Sequence, residues 1–271
     1  MKNSEKSVEC INELLKWVAE GHLKKVAELL QEDPKLALAK GTITDLSGRT
    51  FENITAFQLA IWYLDTEVWT VIKEHLDKIN EQEALSQLNE LENERDDIHK
   101  KYGKHFDFSA LLSAYEAYLL SFDHPGFDHY DDCIRQEHVR LFSKEIGMQQ
   151  LPVPAWYIYA FSENGEDKAW PLKDFSKTIT REYTKKHIFN WFHKNVPYGL
   201  LGTDCGFFRY QKPNIGRASC LARTGNLLII HDMFNTKYLK EVHEKQLNDL
   251  RNSLEDSAVD NNKKSPAFSM G

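Results

Sequence analysis

Ile54 to Leu76, ITAFQLAIWYLDTEVWTVIKEHL, constrains the fold more than any other stretch of the chain. Thr55 stands where a helix N-cap is wanted, with a hydroxyl able to accept from a backbone N–H of the first turn. Phe57, Leu59, Ala60, Ile61 and Leu64 follow, apolar almost all round, so this short helix has to be buried. Asp65 and Thr66 restart the chain. Val68, Val71, Ile72 and Leu76 then recur at the spacing of one helical face, with Glu67, Lys73, Glu74 and Asp77 on the other. Two short antiparallel helices with a tight joint cannot bury their apolar faces alone, so such a unit predicts stacked neighbours.

The opening Thr55-Ala56-Phe57-Gln58-Leu59-Ala60 resembles the T-P-L-H-x-A start of an ankyrin repeat, with Ala56 in place of proline and Gln58 in place of histidine. The usual Thr–His hydrogen bond of that motif is therefore absent. A weaker copy, GHLKKVAELL, lies at Gly21 to Leu30. Aligning Val26 on Val71 gives an offset of 45 residues. Ankyrin repeats recur at about 33, leaving an excess of about 12. The excess falls on Gly41–Phe51, where Ile43, Leu46 and Phe51 around Asp45–Gly48 predict a β-hairpin finger.

A chain of 271 residues can bury roughly 70–75% of its unfolded surface without staples. A net charge of −7 and a pI near 5.9 argue against a nucleic-acid or anionic-membrane surface. Cys10, Cys133, Cys205 and Cys220 show no CxxC spacing and read as free thiols of a reducing compartment. MKNSEKSVEC has no apolar core of an export signal, and no apolar run is long enough to span a bilayer. A soluble protein is the expectation.

In chain order, residues 1–79 form the helical stack, with the finger at 40–53. The Glu/Asp/Lys-dense segment 80–104, with Leu85, Leu88 and Ile98 as a thin apolar line, predicts a long, largely solvated helix whose middle can fray. Residues 105–165 continue the helices, with Leu111, Leu112, Tyr115, Tyr118 and Leu119 packing inward. From 166 to 254 a small α+β region is expected, with β-prone runs at Phe207–Tyr210, Ala218–Arg223 and Leu227–Ile230. A closing helix from about Thr236 to Leu254 turns Tyr238, Leu239, Val242, Gln246, Leu247 and Leu250 inward. Residues 255–271 are polar and expected to be disordered. The fold class is thus mainly α: an ankyrin-like helical-hairpin stack with a β-hairpin finger, then a helical and small α+β region.

Three groups could carry chemistry. His129 and Cys133 share a helical face as two zinc ligands would, but no second pair has partner spacing, and Asp128, Asp131 and Asp132 also suit a helix N-terminus. Cys205 in GTDCGFF, with His231 and Asp232 beyond it, could form a nucleophile–base pair, although a cysteine beside aromatics is more often core filling. The glycine-rich 199–206 segment lacks the order of a phosphate-binding loop. No cofactor is expected. For protein binding, the side chains singled out are Ile43, Leu46, Arg49 and Phe51 of the finger with Trp62 and Trp69 of the helices.

Several stretches together resemble ankyrin-like effectors that Legionella-type intracellular bacteria deliver through the Dot/Icm type IV secretion system. They are Asp33-Pro34-Lys-Leu-Ala37, Gly41-x-Ile-Thr-Asp-Leu-Ser-x-Arg-Thr-Phe51, Asn53-Ile54-Thr55, Ala60-Ile61-Trp62, Trp69, Ile146-Gly147-Met-Gln149 and Leu151-Pro-x-Pro-Ala155. The resemblance implies delivery into the host cytoplasm, and a polar tail with Phe268 and Met270 near its end suits a C-terminal secretion signal. It supplies no reaction. The expected function is binding of a host protein through the finger and the concave helix surface. The alternatives are a host-protein-modifying enzyme using Cys205 and His231, and a regulator of another effector.

Overall fold

Thr55 caps the buried helix as its position requires, and more completely than one hydroxyl could. Its Oγ1 accepts from the Gln58 N–H at 3.1 Å, while Gln58 Oε1 accepts from the Thr55 N–H at 3.0 Å, a reciprocal capping box. This comes from a computed structural model, which describes residues 2–45, 47–80, 82–93, 97–120, 146, 148–150, 152–157 and 217–264. Helix accounts for 75% of the described residues, which are mainly α with one small two-stranded sheet among them.

The described elements are α1 (Lys2–Ala19), α2 (Leu23–Glu32), a 3-10 helix (Pro34–Leu38), β1 (Lys40–Thr44), β2 (Thr50–Thr55), α3 (Ala56–Trp62), α4 (Thr66–Ile79), α5 (Glu83–Leu91), α6 (Asp97–Tyr102) and α7 (Ser109–Leu120). A helical turn at Met148–Gln150 and α8 (Arg217–Lys264) complete them. The chain divides into two compact units, Met1–Phe106 with Val242–Gly271, and Asp107–Glu241.

In the first unit α1 pairs with α2 and α3 with α4, and the two hairpins stack: α1 lies on α3, α2 on α4, and α5 adds to α3 and α4. Both joints are closed by the same hydrogen bonds. After α1, Gly21 N–H reaches the Val18 carbonyl at 3.0 Å and His22 N–H the Trp17 carbonyl at 2.8 Å. After α3, Leu64 N–H reaches Ile61 at 2.8 Å and Asp65 N–H reaches Ala60 at 2.9 Å. This is the Schellman ending, which places one residue in the left-handed region. Gly21 takes φ 67° without penalty, but Leu64 takes φ 58° as a fully buried leucine. The joints repeat at 43 residues, two fewer than the apolar faces of the helices suggest. Asp65 then caps α4, its carboxylate accepting from Val68 N–H at 3.2 Å.

The buried faces are Leu14, Leu15 and Val18 of α1, Val26 and Leu30 of α2, all of Ala56–Trp62, and Val68, Trp69, Ile72 and Leu76 of α4, where Trp69 is buried and Val71, expected on that face, is only half-buried. In place of the missing Thr–His bond, Thr55 Oγ1 donates to Gln87 Oε1 at 2.6 Å, and Gln58 Nε2 donates to the Gln87 carbonyl at 3.1 Å and Glu90 Oε2 at 3.0 Å. Two glutamines from different helices thus satisfy the cap, and Lys40 of β1 pairs with Glu90 beside them.

The charged segment is interrupted in its middle, where the sequence allows fraying. α5 ends at Leu91, Glu92 and Asn93 lie outside helix, and α6 begins at Asp97. Between Leu91 and Ile98 the sequence holds no apolar side chain whose burial would offset the ordering of another turn. It is also less solvated than expected, since Ala84, Gln87, Leu88, Leu91 and Ile98 are buried.

The last helix departs further from expectation. Ala218–Arg223 and Leu227–Ile230, read as strands, lie inside α8, which continues through 255–264 where disorder was expected. Phe207–Tyr210 lie outside the described residues. Helical hydrogen bonding within one long element overrides the local β-preference of a four-residue run. Within the first unit Leu247 and Leu254 of α8 are buried, and Thr66 Oγ1 meets Gln246 Oε1 at 2.7 Å and His243 Nδ1 at 3.2 Å.

In the second unit α7 buries Leu111, Ala114, Tyr115 and Tyr118, and Phe108 stacks with Trp156 and Tyr157, ring centroids 6.1 and 5.4 Å apart. Tyr157 OH and Thr236 Oγ1 lie 2.6 Å apart, and Gln150 Nε2 donates to Tyr115 OH at 3.0 Å. Leu239 is buried here as expected, whereas Tyr238 is exposed rather than inward.

Candidate protein-binding surface

The hairpin between the two helix pairs is built from a turn, a bulge and a close approach. At the turn, Asp45 N–H donates to the Arg49 carbonyl at 2.8 Å and Gly48 N–H to the Asp45 carbonyl at 3.0 Å. The register then runs Thr44 opposite Thr50 and Ile43 opposite Phe51, but Gly41 opposite Ile54. One extra residue therefore sits on β2, and Asn53, at φ 54°, is in the left-handed conformation that one class of bulge uses. Strict alternation would put Phe51 and Ile54, three residues apart, on opposite faces. The bulge lets both bury fully, with Glu52 and Asn53 exposed between them. Gly41 lets β1 lie against α1: a Cβ there would come within 2.7 Å of Ile11 Cγ2 and 2.8 Å of Leu15 Cδ1. The finger is thus seated on the stack by its inner face.

Asp45 is the hub of the turn. Its Oδ1 accepts from Ser47 N–H (2.9 Å), Ser47 Oγ (2.6 Å) and Arg49 N–H (2.9 Å). Its Oδ2 accepts from Arg49 Nε (2.8 Å), Arg49 Nη2 (2.7 Å) and Tyr63 OH (3.0 Å). The guanidinium lies over Trp62 at 4.7 Å, with Phe106 at 5.4 Å and Tyr63 at 5.8 Å. Burial, reinforced by the Asp45 charge and opposed by Arg49, holds the Tyr63 phenol well above its usual range. These contacts lock the finger onto α3.

This geometry sorts the residues singled out from sequence. Phe51, Trp62 and Trp69 are core, at most 3% exposed, and present no anchor to a partner. Aromatic content marks both cores and interfaces, and only the bulge decides which way Phe51 turns. Arg49 is tied inward and Ile43 is half-buried; Leu46 lies outside the described residues. The finger instead shows a polar face: Lys40, Thr42 and Thr44 on β1, Ser47 at the turn, and Glu52 and Asn53 on β2. Cys205, His129 and Cys133 lie outside the described residues. His231 and Asp232 fall on the backbone of α8 rather than at a strand end. Among the described residues no group of three or more His, Cys, Asp or Glu could hold a metal, and no helix is long and apolar enough to cross a membrane.

Asp45 was legible only as part of the turn and not as its hub, and Tyr63, Gln87 and Tyr102 were not singled out at all. The first had a readable sign, since Asp-x-Ser-Gly is a turn in which the aspartate bonds the backbone two residues on. The others reach across about 15 to 50 residues and left none.

No known family matches the chain, and no solved structure matches it. It is 26% identical over 273 aligned positions to a protein of Coxiella burnetii (strain RSA 493 / Nine Mile phase I) described as uncharacterized, covering 89% of this chain and 74% of that one.

Proposed function

We propose that the chain is a translocated bacterial effector that binds a host protein through the polar face of its hairpin and the neighbouring α1–α3 layer. The observation behind this reading is the arrangement itself: two helical hairpins with identical joints, stacked helix on helix and linked by a β-hairpin. We read that order as an ankyrin-like stack, a scaffold that works by presenting surface. The similarity to a protein of Coxiella burnetii supports an intracellular-bacterial setting. The exposed face is polar and largely uncharged, so recognition would rest on hydrogen bonds at a rigid surface rather than on buried aromatic anchors.

The test is affinity capture from host cytosol with the wild-type chain, Thr42→Arg and Cys205→Ala. Binding through the hairpin predicts that wild type and Cys205→Ala retain the same host protein and Thr42→Arg loses it. Retention by Thr42→Arg with loss in Cys205→Ala would overturn the reading in favour of cysteine chemistry.

A further inference from the structure

The two edges of the hairpin are treated differently. Opposite residues of an antiparallel pair alternate between those that exchange hydrogen bonds and those whose N–H and C=O point away. The Asp45–Arg49 bond makes that pair, and Ile43–Phe51 two residues on, the bonded kind. Thr44 and Thr50 are therefore of the outward kind. On β2 the outward groups are closed off: Thr50 N–H donates to Tyr102 OH at 3.1 Å, and the same hydroxyl donates to the Thr50 carbonyl at 3.0 Å. On β1 no described residue plays that part for Thr44, nor for Thr42, which faces the same way two residues earlier. Lys40, Thr42 and Thr44 are all exposed, and α1 covers the alternate face at Gly41.

We infer that the outer edge of β1 is a strand-docking site that takes an extended segment of a partner protein, paired through the N–H and C=O groups of Thr42 and Thr44. This rests on the protein-binding reading above and names the surface and partner class for it. An edge of two outward residues is too short to hold two folded copies of the chain, since a stable interface buries about 1,200 Å² or more. A flexible segment can follow the edge and add its own side chains to the exposed row. That row offers two threonines and a lysine already paired with Glu90, so it favours an uncharged, β-prone segment rich in Thr, Ser or Val. The Thr44–Thr50 hydroxyl contact at 2.9 Å is the same kind of pairing within the sheet.

Thr44→Pro removes an N–H that the hairpin does not use, and an edge strand tolerates the ring. The full chain would be panned against a displayed library of random dodecapeptides, and enriched peptides measured on wild type, Thr44→Pro and Thr44→Val. Expected are a loss of about tenfold or more in Thr44→Pro, affinity retained in Thr44→Val, and an unfolding midpoint lowered slightly and alike in both, since each loses the Thr44–Thr50 hydroxyl contact. Amide exchange gives an independent readout: Thr44 exchanges fast in the free chain, Ile43 is protected, and peptide slows Thr44. Peptides that bind Thr44→Pro unchanged would overturn the edge site while leaving the protein-binding reading standing. No enriched peptide would also overturn it, and host capture by the hairpin would then decide the broader reading. Self-association of wild type abolished by Thr44→Pro would overturn it as well, by making a second copy the occupant.

Discussion

Asp45→Asn keeps the shape of the turn and removes one charge, so its effect isolates the electrostatics of the finger lock. An asparagine oxygen in the Oδ1 position can still accept from Ser47 and Arg49 N–H. Its NH2 then stands where Oδ2 accepted two Arg49 donors and the Tyr63 hydroxyl. Tyr63 can rotate its hydroxyl to accept, but the guanidinium cannot, because every polar hydrogen it has is a donor. Two charge-assisted bonds are lost, each worth about 1.5–3 kcal/mol, and a largely buried cation is left unpaired, a situation that costs about 3–5 kcal/mol in full burial. The Arg49 side chain is 17% exposed, so water recovers part of this, and about 2–3 kcal/mol is expected. Removing the cation as well should restore some stability: Asp45→Asn with Arg49→Met should be less destabilised than the sum of the singles by about 1–2 kcal/mol. Native-state amide exchange at Ile43 and Phe51 reads this locally, which suits a chain of two compact units whose global unfolding need not be two-state. A single-variant cost below about 0.5 kcal/mol, or strictly additive variants, would refute the idea that the ion pair locks the finger.

Other expectations follow from the backbone and from burial. Leu64→Gly relieves a left-handed leucine worth about 1–2 kcal/mol but removes a fully buried side chain worth about 3–5, so urea unfolding should show a net loss of about 1–4 kcal/mol. At the bulge, Asn53→Gly should be neutral within about 0.5 kcal/mol, whereas Asn53→Val should cost about 1–2, since a β-branched residue resists positive φ; thermal melting of the two variants side by side distinguishes them. Tyr63 and Tyr118 are both raised from the usual 10.0, mainly by burial. A raised folded value means the native state keeps a proton that the unfolded chain releases above about pH 10, so their contribution is constant below that pH and stability falls as pH rises past it. Phenolate absorbance during an alkaline titration should leave these two tyrosines silent until the chain unfolds; early ionisation of all eleven would contradict their burial.

How much could be read in advance depended on the range of each interaction. The Thr55 cap, the apolar surround of α3 and the face of α4 are written within one or two turns, and the structure has them where the sequence puts them. The finger was legible as a hairpin because Asp45–Gly48 is local turn chemistry. Its orientation was not, because that turns on one residue: without a left-handed Asn53, Phe51 and Ile54 would face opposite ways and could not both be buried. Gln58 makes the same point from the other side. Read alone it marks a lost hydrogen bond, yet Gln87, 29 residues on, supplies the partner that makes glutamine the right residue there. Leu64 shows why the joint of the second pair was located less well than its helices. A glycine at that position would have marked the Schellman ending as Gly21 does, whereas leucine hides it and is held in place by burial instead. The edge of β1, which no described residue closes, belongs to the same class. It follows from which of two threonines Tyr102 reaches, a contact 52 residues distant on α6, so only the folded chain distinguishes the closed edge from the available one.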